Sequence, residues 1–258
     1  MCVKVLCDVS NVDRYSFSKL STIYQCPYSY DLYYNEKMEG EGNGFADCGS
    51  LVHSILERYF KGELLQFELV DTFINEFEEA VPEGIFITFG SGFKKDMTEK
   101  YKEQCIAYLE SFSGFDDLEV ISAEEKFDIL VEINNKKIIF NGFIDAIAKD
   151  KNGDFYIIDH KSKANWKNKD ELKKYTRQLY VYALYVKYKY GKYPKELWFN
   201  MFRANKIEKI KFSNEDFLES LNWISNTVEI IESEQFFEKK IDDFYCNNLC
   251  NYRNICDK

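Results

Sequence analysis

Three consecutive segments in the middle of the chain, residues 118–133, 137–149 and 154–161, alternate between polar and apolar residues. This period of two is typical of β-strands with one buried face. Asn134-Asn135 and Asn152-Gly153 separate the segments, and dipeptides of this kind favour tight turns. The pattern predicts a three-stranded antiparallel meander, and the rest of the fold must be built around it.

Helical patterns lie on both sides of the predicted meander. Residues 16–34, interrupted by Pro27, and residues 49–60 are predicted as helices, followed by a mixed helical region to about residue 113. After the meander the patterns predict a helix at 169–190, strands at Leu197–Arg203 and Ile207–Phe212, and a helix at 214–232. This order predicts an α/β fold with a mixed central sheet flanked by helices. We expect one domain over 1–258, with a mainly helical part at 14–113, a sheet-and-helix part at 118–212 and a cysteine segment at 246–256.

Composition and charge limit the protein class. The chain has 258 residues, 45% of them hydrophobic, which is enough for one substantial core. No apolar run reaches the length of a membrane span, and Met1 to Ser10 lacks a signal-peptide pattern, so we expect a soluble cytoplasmic protein without a membrane partner. The net charge of −10 disfavours a nucleic-acid partner at first sight, but binding depends on where the basic residues cluster.

One segment, Lys161 to Arg177, is locally cationic. It contains seven basic residues against Asp170 and Glu171. The basic side chains that we expect to contact DNA are Lys163, Lys167, Lys173, Lys174 and Arg177. We call these five residues the basic strip; the alternative is that they form a solvated helix face.

The predicted meander also carries acidic residues and a lysine. Asp159 and Lys161 share one face of the third strand because side chains alternate along a strand. Asp145 precedes Asn152 by as many residues as separate Asn152 from Asp159. If the loop has an odd number of residues centred on Asn152, Asp145 faces Asp159; a two-residue Asn-Gly turn would pair Asp145 with His160 instead.

Two facing carboxylates would favour a bound cation, because without one they repel each other. Oxygen ligands suit Mg²⁺ or Mn²⁺. Such an ion could activate a water molecule, and Lys161 could stabilise the charge that develops on a phosphate. The alternative is that Asp159 and Lys161 form an ion pair on an edge strand.

Two further pairs have helical spacing. His53 and Glu57 lie four residues apart on one predicted helix, and Gln178 and Tyr182 lie four apart on another, so each pair shares a face. The alternative for His53, and the commoner case in proteins generally, is a histidine whose hydrogen bonds are satisfied in the core.

Taken together, these residues resemble the RecB-like branch of the PD-(D/E)XK nucleases. The resemblance rests on the ordered motifs Gly49-x3-His53-x2-Leu56-Glu57, Gly142-Phe143-Ile144-Asp145, Ile158-Asp159-His160-Lys161 and Gln178-x3-Tyr182, and on the segment Ser16 to Tyr34, which is similar to that branch's N-terminal signature. The proline of the class name is absent, and Ile144 stands in its place.

The resemblance implies a restriction-endonuclease-like core and a metal site. His53, Asp145, Asp159 and the backbone carbonyl of His160 would be ligands, and Lys161 would be the catalytic lysine. Gln178 and Tyr182 would position DNA or the active site. Glu57 would be a ligand or a group that supports the ligands.

Cysteines mark the two ends of this resemblance. Disulfides are rare in the cytosol, so the eight cysteines favour metal binding. Cys246, Cys250 and Cys256 lie close together at the end of the chain, and Cys26 is a candidate fourth partner. We call these four residues the cysteine clasp.

The clasp is similar to that of the CRISPR-associated four-cysteine exonucleases and the AddB nuclease domain, which implies a 4Fe-4S cluster; a Cys₄ zinc site is the alternative. Three residues separate Cys246 from Cys250, where two are more usual. We expect the clasp to hold the tail, which has little apolar content to dock it otherwise. We expect Cys2, Cys7, Cys48 and Cys105 to be small buried hydrophobic residues.

The expected function is hydrolysis of DNA from its ends, with a preference for single strands, in recombination, repair or phage DNA processing. No phosphate-binding loop motif is present, so any helicase would be a separate protein. The alternatives are a CRISPR adaptation nuclease that trims spacer precursors with an integration complex, and a non-catalytic iron–sulfur DNA-binding subunit.

Overall fold

A six-stranded mixed sheet lies at the centre of the computed structural model, which describes residues 12–115, 117–233 and 236–256. The strands are β1 (Arg14–Tyr15), β2 (Phe86–Thr88), β3 (Lys94–Asp96), β4 (Glu119–Ile133), β5 (Lys136–Lys149), β6 (Phe155–Lys161), β7 (Glu196–Met201) and β8 (Lys206–Lys211). Within the sheet the order is β1-β5-β6-β7-β8, and β4 pairs with β5. β2 and β3 form a separate hairpin. The predicted mixed sheet is confirmed.

The predicted meander is present as β4, β5 and β6, each antiparallel to the next. β7 then runs parallel to β6, which requires a crossover. The helix predicted at 169–190 makes this crossover as α6 (Lys169–Tyr190), and Gly191 ends it in the left-handed conformation.

The loop between β5 and β6 has the odd length that places Asp145 opposite Asp159. Asp150 donates its backbone N–H to the Asp154 carbonyl, and its carboxylate accepts the N–H groups of Asn152 and Asp154. Gly153 has a φ of 78°, which suits glycine. The resulting register pairs Ala146 with Ile158, so the next positions along each strand, Asp145 and Asp159, oppose each other.

Helices cover both faces of the sheet. The remaining α-helices are α1 (Phe17–Gln25), α2 (Pro27–Tyr30), α3 (Gly44–Phe60), α4 (Leu69–Ala80), α5 (Thr98–Ser111), α7 (Asn214–Ser233) and α8 (Asp243–Asn248). Ile157 packs in the core formed with α6 and α7, and its neighbour Ile158 packs in the core formed with α3, α4 and α5. β6 is therefore buried on both faces, as expected of a central strand. In the described residues, no helix is long and apolar enough to cross a membrane.

Three predicted elements have boundaries that differ from the structure by two residues or more. The helix predicted at 16–34 is broken at Cys26, whose backbone is extended; Pro27 then starts α2, and a π-helical turn follows at Asp31–Asn35. The helix predicted from residue 49 already begins at Gly44, because the side chain of Asn43 caps it. A β-carbon on Gly44 would lie 2.0 Å from the Gly84 carbonyl oxygen, so this start requires glycine.

The third difference is the strand predicted at Leu197–Arg203, which ends at Met201. A 3₁₀ turn occupies Phe202–Ala204, and Asn205 follows in the left-handed conformation with a φ of 48°. The Arg203 guanidinium turns back over the Tyr101 ring, 3.4 Å from its centroid, and donates to the Ser162 carbonyl. These contacts favour the turn over a longer strand.

Candidate metal centre

Three ligand-type side chains from three elements converge beside the end of β6. His53 comes from α3, Glu124 from β4 and Asp145 from β5. Among the described residues, they form the one group of three or more His, Cys, Asp or Glu side chains whose ligand atoms all lie within 4.8 Å of one another. His53 Nδ1 is 3.5 Å from Asp145 Oδ2 and 3.9 Å from Glu124 Oε1.

The backbone of His160 orients two of these residues. Its N–H donates to Asp145 Oδ2 at 2.6 Å, and its carbonyl oxygen lies 3.1 Å from His53 Nε2. Because a carbonyl only accepts, this bond requires the proton of His53 to sit on Nε2. Nδ1 then carries the lone pair of the neutral ring, and it faces Asp145 and Glu124. The ring of His160 is not one of the three close ligands: it meets the His53 ring edge-on, with the centroids 5.2 Å apart, and hydrogen-bonds Asn200 at 3.0 Å.

Asp159 and Lys161 form a buried ion pair next to this group. Asp159 Oδ2 lies 2.5 Å from Lys161 Nζ, and apart from that pairing it has no hydrogen-bond partner in the described structure. Lys161 Nζ also donates to Gln178 Oε1 at 3.0 Å, and Gln178 Nε2 donates to the Tyr182 hydroxyl at 2.6 Å. The predicted spacing on α6 thus gives a chain of contacts that ends at the lysine.

Glu124 was not among the residues predicted from the sequence. The pairs on either side of it, Ala123 with Ala146 and Glu125 with Ile144, place it opposite Asp145. Its φ is 49°, a conformation that costs energy for any residue with a β-carbon. The only sequence signal is the Glu124-Glu125 doublet, which interrupts the alternation of the strand.

The adjacent Glu125 has different partners. It hydrogen-bonds Tyr185 and Lys189, both on α6. These contacts, opposed by partial burial, lower the pKa of Glu125 to about 2. The positive φ at Glu124 therefore separates two successive carboxylates. Glu124 joins the group with His53 and Asp145, and Glu125 contacts α6.

Burial is the largest influence on the pKa of each of these groups, and their charges act on one another in addition. Burial raises the pKa of Asp159 to about 6, although Lys161 opposes the change. Burial also raises the pKa of Asp145, against the effect of His53 and Lys161. The pKa of His53 is lowered by burial but raised more by Asp145 and Glu124, so its net direction is upward. For Lys161, likewise, burial lowers the pKa but the two aspartates raise it by more, so the net direction is upward.

This donor set fits a divalent cation. Carboxylates and an imidazole are suitable ligands for Mn²⁺, and Mg²⁺ prefers the carboxylates. Apart from its ion pair with Lys161, the buried Oδ2 of Asp159 has no hydrogen-bond partner among the described residues. A metal ion or a metal-bound water could therefore occupy its free lone pair. His53 and Lys161 also line an open cavity of about 490 Å³, so a substrate can reach the group.

Glu57 lines the same cavity but has another partner. It forms an ion pair with Lys61, the residue that follows the end of α3. Its carboxylate is not part of the close group of His53, Glu124 and Asp145. A supporting role for Glu57 therefore remains a prediction.

The basic strip does not form one cationic face. Lys163 pairs with Glu171 at 3.0 Å, and Lys167 donates its backbone N–H to the same glutamate. Glu219 on α7 pairs with Arg177 at 2.7 Å and with Lys173 at 3.7 Å, and Lys174 hydrogen-bonds Gln25 on α1. The sequence could not show this neutralisation, because Glu219 lies more than forty residues from Arg177 along the chain.

The cysteine clasp is brought together. Cys26, Cys246, Cys250 and Cys256 line one small cavity of about 20 Å³. The pKa of Cys250 is raised by burial and, in addition, by the other three thiols. Thiols are suitable ligands for a soft metal or an iron–sulfur cluster, but no three of these four sulfur atoms all lie within 4.8 Å of one another, so a bound group at the clasp remains a prediction.

The other cysteines follow the prediction where the structure describes them. Cys48 and Cys105 are buried, with their sulfur atoms 3.7 Å apart. Cys2 and Cys7 lie outside the described residues.

Comparison with known proteins defines the family. A family model described as the PD-(D/E)XK nuclease superfamily matches residues 14–257. The chain belongs to this superfamily. The α/β prediction and the superfamily prediction are thus confirmed, whereas the RecB-like branch, the site residues and the iron–sulfur cluster remain predictions.

Two further comparisons add little. No curated protein matches the chain. Among solved structures, the chain is similar to the one titled "Crystal structure of SSO0001", with 12% identity and a TM-score of 0.44 over 96% of this chain and 88% of the other.

Proposed function

We propose that this chain is a metal-dependent deoxyribonuclease of the RecB-like branch that degrades DNA from its ends. One observation carries the proposal: His53, Glu124, Asp145 and the Asp159–Lys161 pair meet beside one open cavity. Carboxylates gathered around a charged lysine are suited to hydrolysis of a phosphodiester, where negative charge develops on the phosphate oxygens.

The residues have distinct parts in this proposal. His53, Glu124, Asp145 and Asp159 would hold Mg²⁺ or Mn²⁺, which supplies an activated water and offsets phosphate charge when bound. Lys161 keeps its proton because its pKa is raised, and Asp159 and Gln178 fix its ammonium group. Tyr182 in turn fixes Gln178. Lys161 can therefore stabilise a phosphate in the transition state without first being ordered.

A DNA substrate and an exonuclease activity are inferred from the family and from the surface. The superfamily consists of nucleases, and the basic strip, although Glu171 and Glu219 neutralise part of it, places five cations close together on an acidic chain. We propose that the protein works in recombination, repair or phage DNA processing in the cytoplasm, alone or with a separate helicase. A CRISPR adaptation nuclease acting with an integration complex would use the same chemistry.

The cysteine clasp would hold a 4Fe-4S cluster, with a Cys₄ zinc site as the alternative. The four thiols line one cavity, and Cys26 precedes the three others by more than two hundred residues. A group bound there would cross-link two distant parts of the chain, which removes entropy from the unfolded state.

The test is an assay of DNA cleavage. Linear single strands labelled at the 5′ or the 3′ end, blunt duplexes and circular single strands are incubated with Mn²⁺, Mg²⁺ or EDTA. We expect linear single strands to be shortened from one end with either metal, and circles to survive. Lys161→Ala should cleave about 10²–10³ times more slowly, and Lys195→Ala, which removes an exposed lysine paired with Asp150 and Asp154, should keep its activity.

Two outcomes would contradict the proposal. Cutting of circular DNA at the rate of linear DNA would show an endonuclease. DNA binding with no cleavage under any condition would support the alternative of a non-catalytic DNA-binding subunit.

A further inference from the structure

A second groove opens directly beside the metal cavity. It has a volume of about 510 Å³ and shares Ala46 and Ser162 with the cavity that His53 and Lys161 line. Ala46 lies in the first turn of α3, and Ser162 follows Lys161 at the end of β6. A chain lying in this groove would therefore reach the metal centre without crossing another surface.

The lining of this groove differs from the rest of the surface. Of the described residues that line it, none is acidic, although the chain has 44 Asp and Glu residues. A neighbouring groove, by contrast, is lined by Glu41, Asp47 and Glu83 as well as by Lys94 and Arg253, so acidic residues outnumber basic ones there. A phosphate backbone would be repelled by those carboxylates but not by the neutral groove.

Aromatic rings and small polar groups replace the missing charges. The rings belong to Tyr33, Tyr34, Phe45, Tyr245 and Tyr252, and we call this the tyrosine groove. Hydroxyl and amide groups such as Ser18, Thr22 and Asn43 stand between the rings and can hydrogen-bond phosphates or bases. Rings interleaved with hydrogen-bonding groups are suited to unpaired nucleotides, whose bases are free to stack.

Tyr33 is the ring best placed to stack. Its side chain is 54% exposed, and its ring meets that of Tyr34 edge-on at 4.7 Å. Tyr34 packs against Tyr30 at 4.8 Å, and Lys19 Nζ lies 5.7 Å from the centroid of the Tyr34 ring. The Tyr33 ring is therefore held in place by the Tyr34 ring. Stacking a base on Tyr33 would then cost the tyrosine side chain little conformational entropy.

We propose that the tyrosine groove binds unpaired nucleotides of a single strand, with a base stacked on Tyr33, and leads the strand to Lys161. This inference rests on the proposed function for its substrate and adds the route and the basis of strand preference. Duplex DNA cannot use the groove in this way, because its bases are stacked on each other.

The test measures binding without cleavage. Affinities of the full-length protein in EDTA are determined by fluorescence anisotropy for a labelled oligothymidylate, the same oligonucleotide with abasic sites, and a blunt duplex. Base–aromatic stacking contributes about 1–3 kcal/mol, so Tyr33→Ala should weaken oligothymidylate binding about 5- to 150-fold. Tyr33→Phe should bind normally, since it keeps the ring. Tyr188→Ala is the matched control, because Tyr188 is 59% exposed and does not line the groove.

Specificity for bases decides the outcome. The proposal requires that Tyr33→Ala leave duplex and abasic binding unchanged. An equal loss on the duplex, no loss on oligothymidylate, or failure of Tyr33→Phe to restore binding would overturn it. Because no step needs catalysis, binding through Tyr33 without any nuclease activity would refute only the proposed function. Cleavage that proceeds with unchanged single-strand affinity in Tyr33→Ala would refute only the groove.

Discussion

Replacing Glu124 by glycine should make the metal-free protein more stable and its metal site weaker. Glu124 holds a φ of 49°, and the left-handed conformation costs a residue with a β-carbon about 1–2 kcal/mol. Glycine adopts it freely, although its larger entropy in the unfolded chain returns part of the gain. We expect a net gain of about 1 kcal/mol, which for a chain of this size raises Tm by about 2–4 °C.

In contrast to its gain in stability without metal, Glu124→Gly should gain less stability from bound metal than the wild type does. Glu124 Oε1 belongs to the close group with His53 and Asp145, so its removal takes away a carboxylate ligand. We expect at least about a tenfold loss of Mn²⁺ affinity, equivalent to about 1.4 kcal/mol. At saturating Mn²⁺ the stabilisation by bound metal falls by the same amount, because it depends on the logarithm of the dissociation constant.

Thermal unfolding in EDTA and in excess Mn²⁺, combined with calorimetry, measures both effects. Glu124→Gln keeps the strained backbone, so it should weaken the metal site without the gain in EDTA. Lys37→Gly is the control for strain: Lys37 is exposed with a φ of 55°, and it lies outside the metal group. The reasoning is refuted if Glu124→Gly is less stable than wild type in EDTA, or if it keeps the full response to Mn²⁺.

Four further predictions concern catalysis, pH, salt and the clasp. Lys161→Ala should lower the cleavage rate by about 10²–10³ and leave DNA affinity nearly unchanged, because the ammonium acts on transition-state charge; single-turnover kinetics and anisotropy check this. Metal ligands must lose their protons, the pKa of Asp159 is about 6, and that of His53 is raised above its ordinary value, so Mn²⁺ affinity should rise with pH through 6 and flatten only after His53 has also lost its proton; Asp159→Asn should remove the lower part of this rise and leave the upper part due to His53, and an unchanged profile would contradict the assignment. Neutralising Lys167, Lys173 and Lys174 together should lessen the slope of log K against log salt by roughly 0.7 for each phosphate that the protein no longer neutralises, and an unchanged slope would make the basic strip a solvated face. Protein purified without oxygen should be brown and contain about four iron atoms per chain, Cys250→Ser should lose both, and one zinc per chain would establish the alternative.

The sequence predicted those parts of the site that depend on local periodicity. Alternation along β6 placed Asp159 and Lys161 on one face, and a spacing of four placed Gln178 beside Tyr182. To predict that Asp145 faces Asp159, one must also know the length of the loop between the two strands. That length depends on how the Asp150 carboxylate caps backbone N–H groups within the turn, and the residues alone left both registers open.

The sequence did not predict contributions from distant or irregular backbone. Glu124 reaches the site through a single residue with positive φ, and no periodic pattern encodes such a residue when it is not glycine. Glu219 neutralises part of the basic strip from another helix, so a count of charges along 161–177 could not include it. Both depend on tertiary packing, which a period of two or of four does not describe.

The C-terminal tail shows how the two candidate centres are connected. The tail was expected to depend on the thiols, but polar contacts also dock it: Asn248 bonds both backbone groups of Thr88, and Arg253 donates to the Gly42 carbonyl just before α3. The clasp cavity and the tyrosine groove share Tyr245 and Tyr252, so the group held by the thiols would support one wall of the proposed DNA route. Loss of that group should then loosen the wall without detaching the tail. The catalytic residues would keep their places, since Asp159 and Lys161 are held by β6 and α6, which the tail does not form.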